Sequence, residues 1–110
     1  MSSLKGLLTI CRKAGRLSLG FDPMKEALTE GKARAVIIAS DISPKTEKEV
    51  RFFADKRGVS VKKTEMAIDD IYLALGKRAG IITILGEGFA EKALSLCRDI
   101  NDNTETEDSK

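Results

Sequence analysis

An α/β fold, a three-layer α/β/α sandwich around a mixed central sheet of about four strands, is what this 110-residue sequence predicts. Two observations carry the prediction. Residues 35–39 (AVIIA) and 81–85 (IITIL) are apolar and rich in β-branched side chains without alternation, the pattern of strands covered on both faces. Helix-period segments alternate with these and with shorter strand-like runs, and right-handed crossovers then set helices on both faces of the sheet.

The first helix is expected over residues 3–14, where Leu4, Leu7, Leu8, Cys11 and Ala14 recur at helical spacing behind Ser2 and Ser3, which can cap it. Gly15 ends it, and residues 17–19 leave room only for a short strand. Gly20 and Phe21 then lead to Asp22, whose carboxylate can accept unpaired amides, and to Pro23, whose fixed φ suits the first helical position. Met24, Ala27 and Leu28 share one face of about two turns, and Gly31 offers a left-handed cap. Residues 35–39 are expected as the central strand. Ser43 is placed to cap, and Pro44 to start, a helix that turns Val50, Phe53 and Ala54 inward and closes at Gly58. Val59 and Val61 alternate with Ser60 and Lys62 in a strand with one wetter face. Thr64 is the expected cap of the helix that carries Ile68, Ile71, Tyr72 and Leu75. Gly76, Lys77, Arg78, Ala79 and Gly80 form a compact basic loop before the strand at 81–85, and Phe89, Ala93, Leu96 and Cys97 mark the last helix.

Length and a 42% hydrophobic content suit one domain with an ordinary core, read over residues 1–98, followed by a polar acidic tail at 99–110 read as disordered. The formal net charge of +2 conceals a division, because residues 1–98 hold 18 Lys and Arg against 12 Asp and Glu, a net of +6. That excess is compatible with nucleic acid. Cys11 and Cys97 sit at apolar helical positions outside any paired motif, which reads as free buried thiols in a reducing compartment. No secretory signal pattern and no stretch of membrane-spanning length occurs, so a cytoplasmic protein without a membrane partner is expected. Histidine is absent, no Ser or Cys stands beside a base, and Asp69 and Asp70 face different directions on a helix. No catalytic residue, metal site or cofactor is therefore expected.

The glycine-to-helix junction at residues 20–23 is the strongest candidate site. A helix N-terminus presents free amides and partial positive charge to an anion such as phosphate. Lys13 and Arg16 precede the junction and Lys25, Lys32 and Arg34 follow it, while Asp22 and Glu26 put negative charge into the turn. This mixture suits a surface that combines phosphate contacts with carboxylates accepting from base amino or imino groups. Plainer readings stand beside it: Asp22 and Pro23 as a helix cap, Phe21 as a staple, and Lys77 and Arg78 as charges that suit a helix C-terminus. Phe52, adjacent to Phe53, puts one ring off the core stripe, where it marks a partner surface or lies against the sheet edge.

The segments LSLGFDPMKEALTEGKARAVIIASDISP and, about thirty residues later, LALGKRAGIITIL resemble the kink-turn RNA-binding ribosomal-protein family, which includes large-subunit proteins seven-Ae and thirty-e and small bacterial relatives. The shared features are the glycine-plus-helix junction, the turn built from Ala39, Asp41 and Pro44, and the Leu75, Gly76, Lys77 run. The resemblance implies an α/β/α fold that binds sharply bent RNA at an internal loop with sheared G·A pairs. It places the contacts at Gly20, Phe21, Asp22, Pro23 and Glu26 and at Lys77, Arg78, Ala79, Gly80 and Ile81, to which the basic flank of the junction adds Lys25, Lys32 and Arg34. Where the family shows Asn, Glu and Lys, this chain carries Asp22, Pro23 and Glu26. The expectation is a non-enzymatic, monomeric RNA-binding protein, associated with the ribosome or with another structured RNA. The alternative is a protein-interaction module on the same fold without kink-turn recognition.

Overall fold

Residues 3–97 are described by the structure, a computed structural model, so the acidic stretch at 99–110 lies outside the described residues. The elements follow in the order α1 (Leu4–Lys13), β1 (Leu17–Leu19), α2 (Phe21–Thr29), β2 (Ala35–Ile38), α3 (Pro44–Lys56), β3 (Ser60–Lys63), α4 (Ile68–Leu75), β4 (Ile81–Ile84) and α5 (Glu87–Leu96). The strands form one sheet in the order β1-β4-β2-β3. β4 runs antiparallel to both neighbours, with Leu17 opposite Ile84 and Ile37 opposite Ile82, whereas β2 and β3 are parallel. The two unalternated apolar runs are thus the inner pair, every residue of β2 and β4 being buried, and the central place expected for residues 35–39 is shared with β4.

Because side chains alternate across a strand, each inner strand supplies two cores. Ala35, Ile37, Ile82 and Ile84 pack with Leu8 and Cys11 of α1, Ile71 and Leu75 of α4, and Ala90 and Ala93 of α5. Val36, Ile38 and Ile81 pack with Met24, Ala27 and Leu28 of α2 and with Val50 and Ala54 of α3. Helices on both faces of a mixed sheet make the three-layer α/β/α sandwich.

Two helix starts follow the expected chemistry, since Ser3 Oγ accepts from the Gly6 N–H at 3.1 Å and Ser43 Oγ from the Thr46 N–H at 3.2 Å. Two others differ. α2 is capped by Gly20, which makes no side-chain cap, so Asp22 falls in the first turn and Pro23 at the third helical position. Pro23 lacks only an N–H that would find no intrahelical acceptor there. Thr64 does not cap α4: its N–H continues the sheet by donating to Ile38 O at 2.9 Å, and its buried hydroxyl accepts from the Met66 N–H at 3.3 Å. The chain is still extended at Thr64, and α4 begins after Ala67. Its free amides are taken by Asp70 Oδ2, from Ala67 at 2.9 Å, and by Asp41 Oδ1, from Ile68 at 2.9 Å.

Candidate nucleic-acid interface

Strand polarity decides which candidate residues meet. With β1, β2 and β3 parallel and β4 reversed, the ends of the first three strands and the start of β4 share one end of the sheet. Three backbone hydrogen bonds tie the loops there. The Gly20 N–H donates to Ile81 O at 3.0 Å, Ala39 to Gly80 O at 2.9 Å, and Ser40 to Met66 O at 2.8 Å. Gly20, Phe21, Asp22 and Pro23 therefore lie beside the loop of Lys77, Arg78, Ala79 and Gly80. Lys32 and Arg34 do not. α2 carries the chain about 13 Å away over its nine residues, and the Arg34 N–H donates to Ile84 O at the opposite end, where Leu85 bonds Arg16 O. Lys32 there pairs with Glu30 at 3.2 Å.

At the near end, the α2 N-terminus is open. The N–H groups of Phe21 and Asp22 have no acceptor among the described residues, and Pro23 has none to satisfy. Asp22 and Glu26 are exposed around this terminus. Lys77 is exposed and meets no carboxylate among the described residues, whereas the Arg78 guanidinium pairs with Asp69 in the first turn of α4. Ala79 and Ile81 turn their side chains into the core, so only their backbone is available to a ligand. Gly80 lies against Ile68 and Ile42, where a Cβ would sit 3.5 to 3.6 Å from both side chains. Phe21 is half-buried and meets Phe53 of α3 edge-on, ring centroids 6.0 Å apart, which makes it a packing residue between helices. Lys25 Nζ lies 5.7 Å from the Phe21 centroid and 5.0 Å from that of Phe53, so cation–π attraction draws its ammonium over the rings.

This end of the molecule offers two kinds of recognition within one small area. Open helix amides and Lys77 suit phosphate oxygens, and the Asp22 carboxylate can only accept, which suits an exposed base amino or imino group. Two features were legible only as single residues, Asp41 in its turn and Phe52 off the core stripe. Asp41 holds the turn between β2 and α3 against α4, a tie visible only once the loops meet. The second is a groove along α3 and β3, lined by Lys48, Arg51, Phe52, Asp55 and residues 58–61. Its signal in the sequence is charge density: residues 44–63 hold seven Lys and Arg against three acids.

Comparison with known proteins places the chain among relatives. A model of the ribosomal protein L7Ae/L30e/S12e/Gadd45 family matches residues 2–92. The large ribosomal subunit protein eL30 of Eremothecium gossypii is 28% identical over 91 residues, which cover 81% of this chain and 87% of that protein. The eL30 protein of Saccharomyces cerevisiae is 26% identical over 96 residues, covering 86% and 91%. Among solved structures, a protein of unknown function from Bacillus halodurans C has a TM-score of 0.81 at 24% identity, over 87% of this chain and 97% of that one. The Giardia lamblia 15.5kD RNA binding protein has a TM-score of 0.68 at 18% identity, over 84% and 86%. Both structural likenesses are of the fold.

Proposed function

Because the chain belongs to the ribosomal protein L7Ae/L30e/S12e/Gadd45 family, we propose that it is a non-catalytic RNA-binding protein that acts in the cytoplasm, on the ribosome or on another structured RNA, and grips a sharply bent, kink-turn-like internal loop. The observation that carries this reading is the 3.0 Å hydrogen bond from the Gly20 N–H to Ile81 O. It holds the open N-terminus of α2 against the loop of Lys77, Arg78, Ala79 and Gly80. A bent internal loop crowds phosphates while splaying base edges, and the paired elements address both. The relatives support the class of ligand: the eL30 proteins are ribosomal, and the Giardia lamblia neighbour is an RNA binding protein.

A second reading, a protein-interaction module on the same fold, draws on the exposure of Asp22 and Glu26, whose carboxylates repel phosphate. Calorimetric titration separates the two, using a kink-turn RNA and the same duplex with its G·A pairs replaced by Watson–Crick pairs, at two salt concentrations. Binding to the first RNA alone is expected, and with about three phosphate contacts a fourfold rise in salt weakens it roughly forty-fold. Lys77→Ala combined with Arg78→Ala weakens it further. Equal affinity for both duplexes would leave a general RNA binder, and no binding to either would favour the interaction module.

A further inference from the structure

We infer that the groove between α3 and the outer edge of the sheet at β3 is a second RNA contact, one that holds a single-stranded stretch. This rests on the RNA-binding reading of the chain and adds to it a surface separate from the α2 turn.

Charge is the first argument. Residues 44–63 carry seven Lys and Arg against three Asp and Glu, a net of +4, while all the described residues, 3–97, carry 17 against 12, a net of +5. Of these, Lys48, Arg51 and Asp55 line the groove itself, a net of +1, and Lys56 stands over the Phe52 ring beside them. Glu47, one of the three acids, is already shared, its Oε2 lying 3.1 Å from Arg51 Nε and its Oε1 3.0 Å from Lys63 Nζ. The buried Arg51 Nη2 makes no hydrogen bond among the described residues, and Arg51 lines the groove.

Shape and aromatic surface are the second. The groove encloses about 550 Å³, within the range of small-ligand sites and so adequate for a nucleotide unit. Phe52 forms part of its wall and is 57% exposed, with Lys56 Nζ 4.8 Å from its centroid. An exposed ring among cations is what single-stranded nucleic acid uses, its bases stacking while its phosphates meet the charges. The groove is also joined to the α2 turn by a row of rings, Phe21 to Phe53 at 6.0 Å and Phe53 to Phe52 at 5.5 Å, with Lys25 and Lys56 above them. A strand leaving a bent loop at Gly20 would pass the cations Lys25 and Lys56 over these packed rings and reach the exposed Phe52. A second copy of this chain fits less well, because β3 carries Lys62 on an outer strand and a charged lysine on an edge opposes strand pairing.

The experiment titrates the whole chain with a fluorescently labelled uridine octamer, an octamer of glutamate, and a blunt kink-turn RNA in parallel. The uridine octamer is expected to bind in a salt-sensitive manner. Phe52→Ala weakens it between about fivefold and a hundredfold, the worth of one stacked base. Phe52→Leu, which keeps the apolar bulk, weakens it similarly, and Lys48→Ala lowers the salt slope by about one. No octamer binding, or unchanged binding by the Phe52 and Lys48 variants, would overturn the inference. So would equal binding of the glutamate octamer with the same Phe52 dependence, which would assign the groove to an acidic peptide. If the blunt kink-turn RNA fails to bind while the uridine octamer binds through Phe52, the bent-loop reading falls and the groove stands.

Discussion

Gly20 has φ of 110° and ψ of 170°, a backbone conformation that is essentially restricted to glycine. A Cβ there would meet Pro23 Cδ at 3.6 Å, an ordinary contact, so a substitution is opposed by the backbone and not by crowding. Gly20→Ala is expected to lower stability by about 1 to 3 kcal/mol, measured by urea denaturation, and to weaken bent-RNA binding by shifting the open amides of α2. A loss below about 0.5 kcal/mol would show that the turn relaxes at little cost. Asp22 and Pro23 announced a helix start in the sequence, yet the cap fell to Gly20. The bond that holds Gly20 reaches Ile81, far along the chain, and local spacing carries no trace of it. Asp22 is thereby left exposed in the first turn, where its carboxylate is available to a partner instead of being spent as a cap.

At the scale of elements, α4 illustrates how a helix is positioned by its neighbours. Asp41, in the turn after β2, accepts from the Ile68 N–H at the start of α4, and Asp70 closes the same terminus from within. Asp41→Ala is expected to cost about 1 kcal/mol, the usual worth of a helix cap, and Asp41→Asn to recover most of it; equilibrium unfolding of the two variants tests the pair. The apolar period of this helix was legible in part: Ile71 and Leu75 are buried as that period requires, whereas Tyr72, read on the same face, is exposed. The start of α4 was not legible, because Thr64 is of a residue type that caps helices, while the parallel pairing with β2 keeps it in extended chain. The same contrast holds for α2 and α3. Their inward faces follow from spacing, but the contact of Phe21 with Phe53, which takes Phe21 out of any free stacking role, depends on how the two helices cross.

Across the whole molecule, the sheet separates two cores, and Cys11 is buried in the one beneath α1, α4 and α5. Its thiol donates to Arg16 O at 3.1 Å, and burial pushes its pKa from 9.0 to about 11. The sign follows from proton counting. Between those values the folded chain keeps a proton that the unfolded chain has released, so stability is undiminished below about pH 9 and falls as pH rises towards 11. Cys11→Ala is expected to flatten that fall relative to the natural chain, read as the difference in Tm across this window. An identical slope would show that the Cys11 thiol makes no contribution to it.

Composition and periodicity by themselves determined that this chain alternates helices with strands, which side chains face inward with the exception of Tyr72, and that the runs at 35–39 and 81–85 lie inside the sheet, because burial on one or both faces leaves a local pattern. The tertiary structure decided which ends of those elements meet. It set the α2 turn against the loop after α4, moved Lys32 and Arg34 to the opposite end, and brought Lys48, Arg51 and Lys56 of α3 beside Phe52 in a groove against β3. Strand order and direction arise from packing between segments distant in sequence, and a surface assembled from such segments has no local signature.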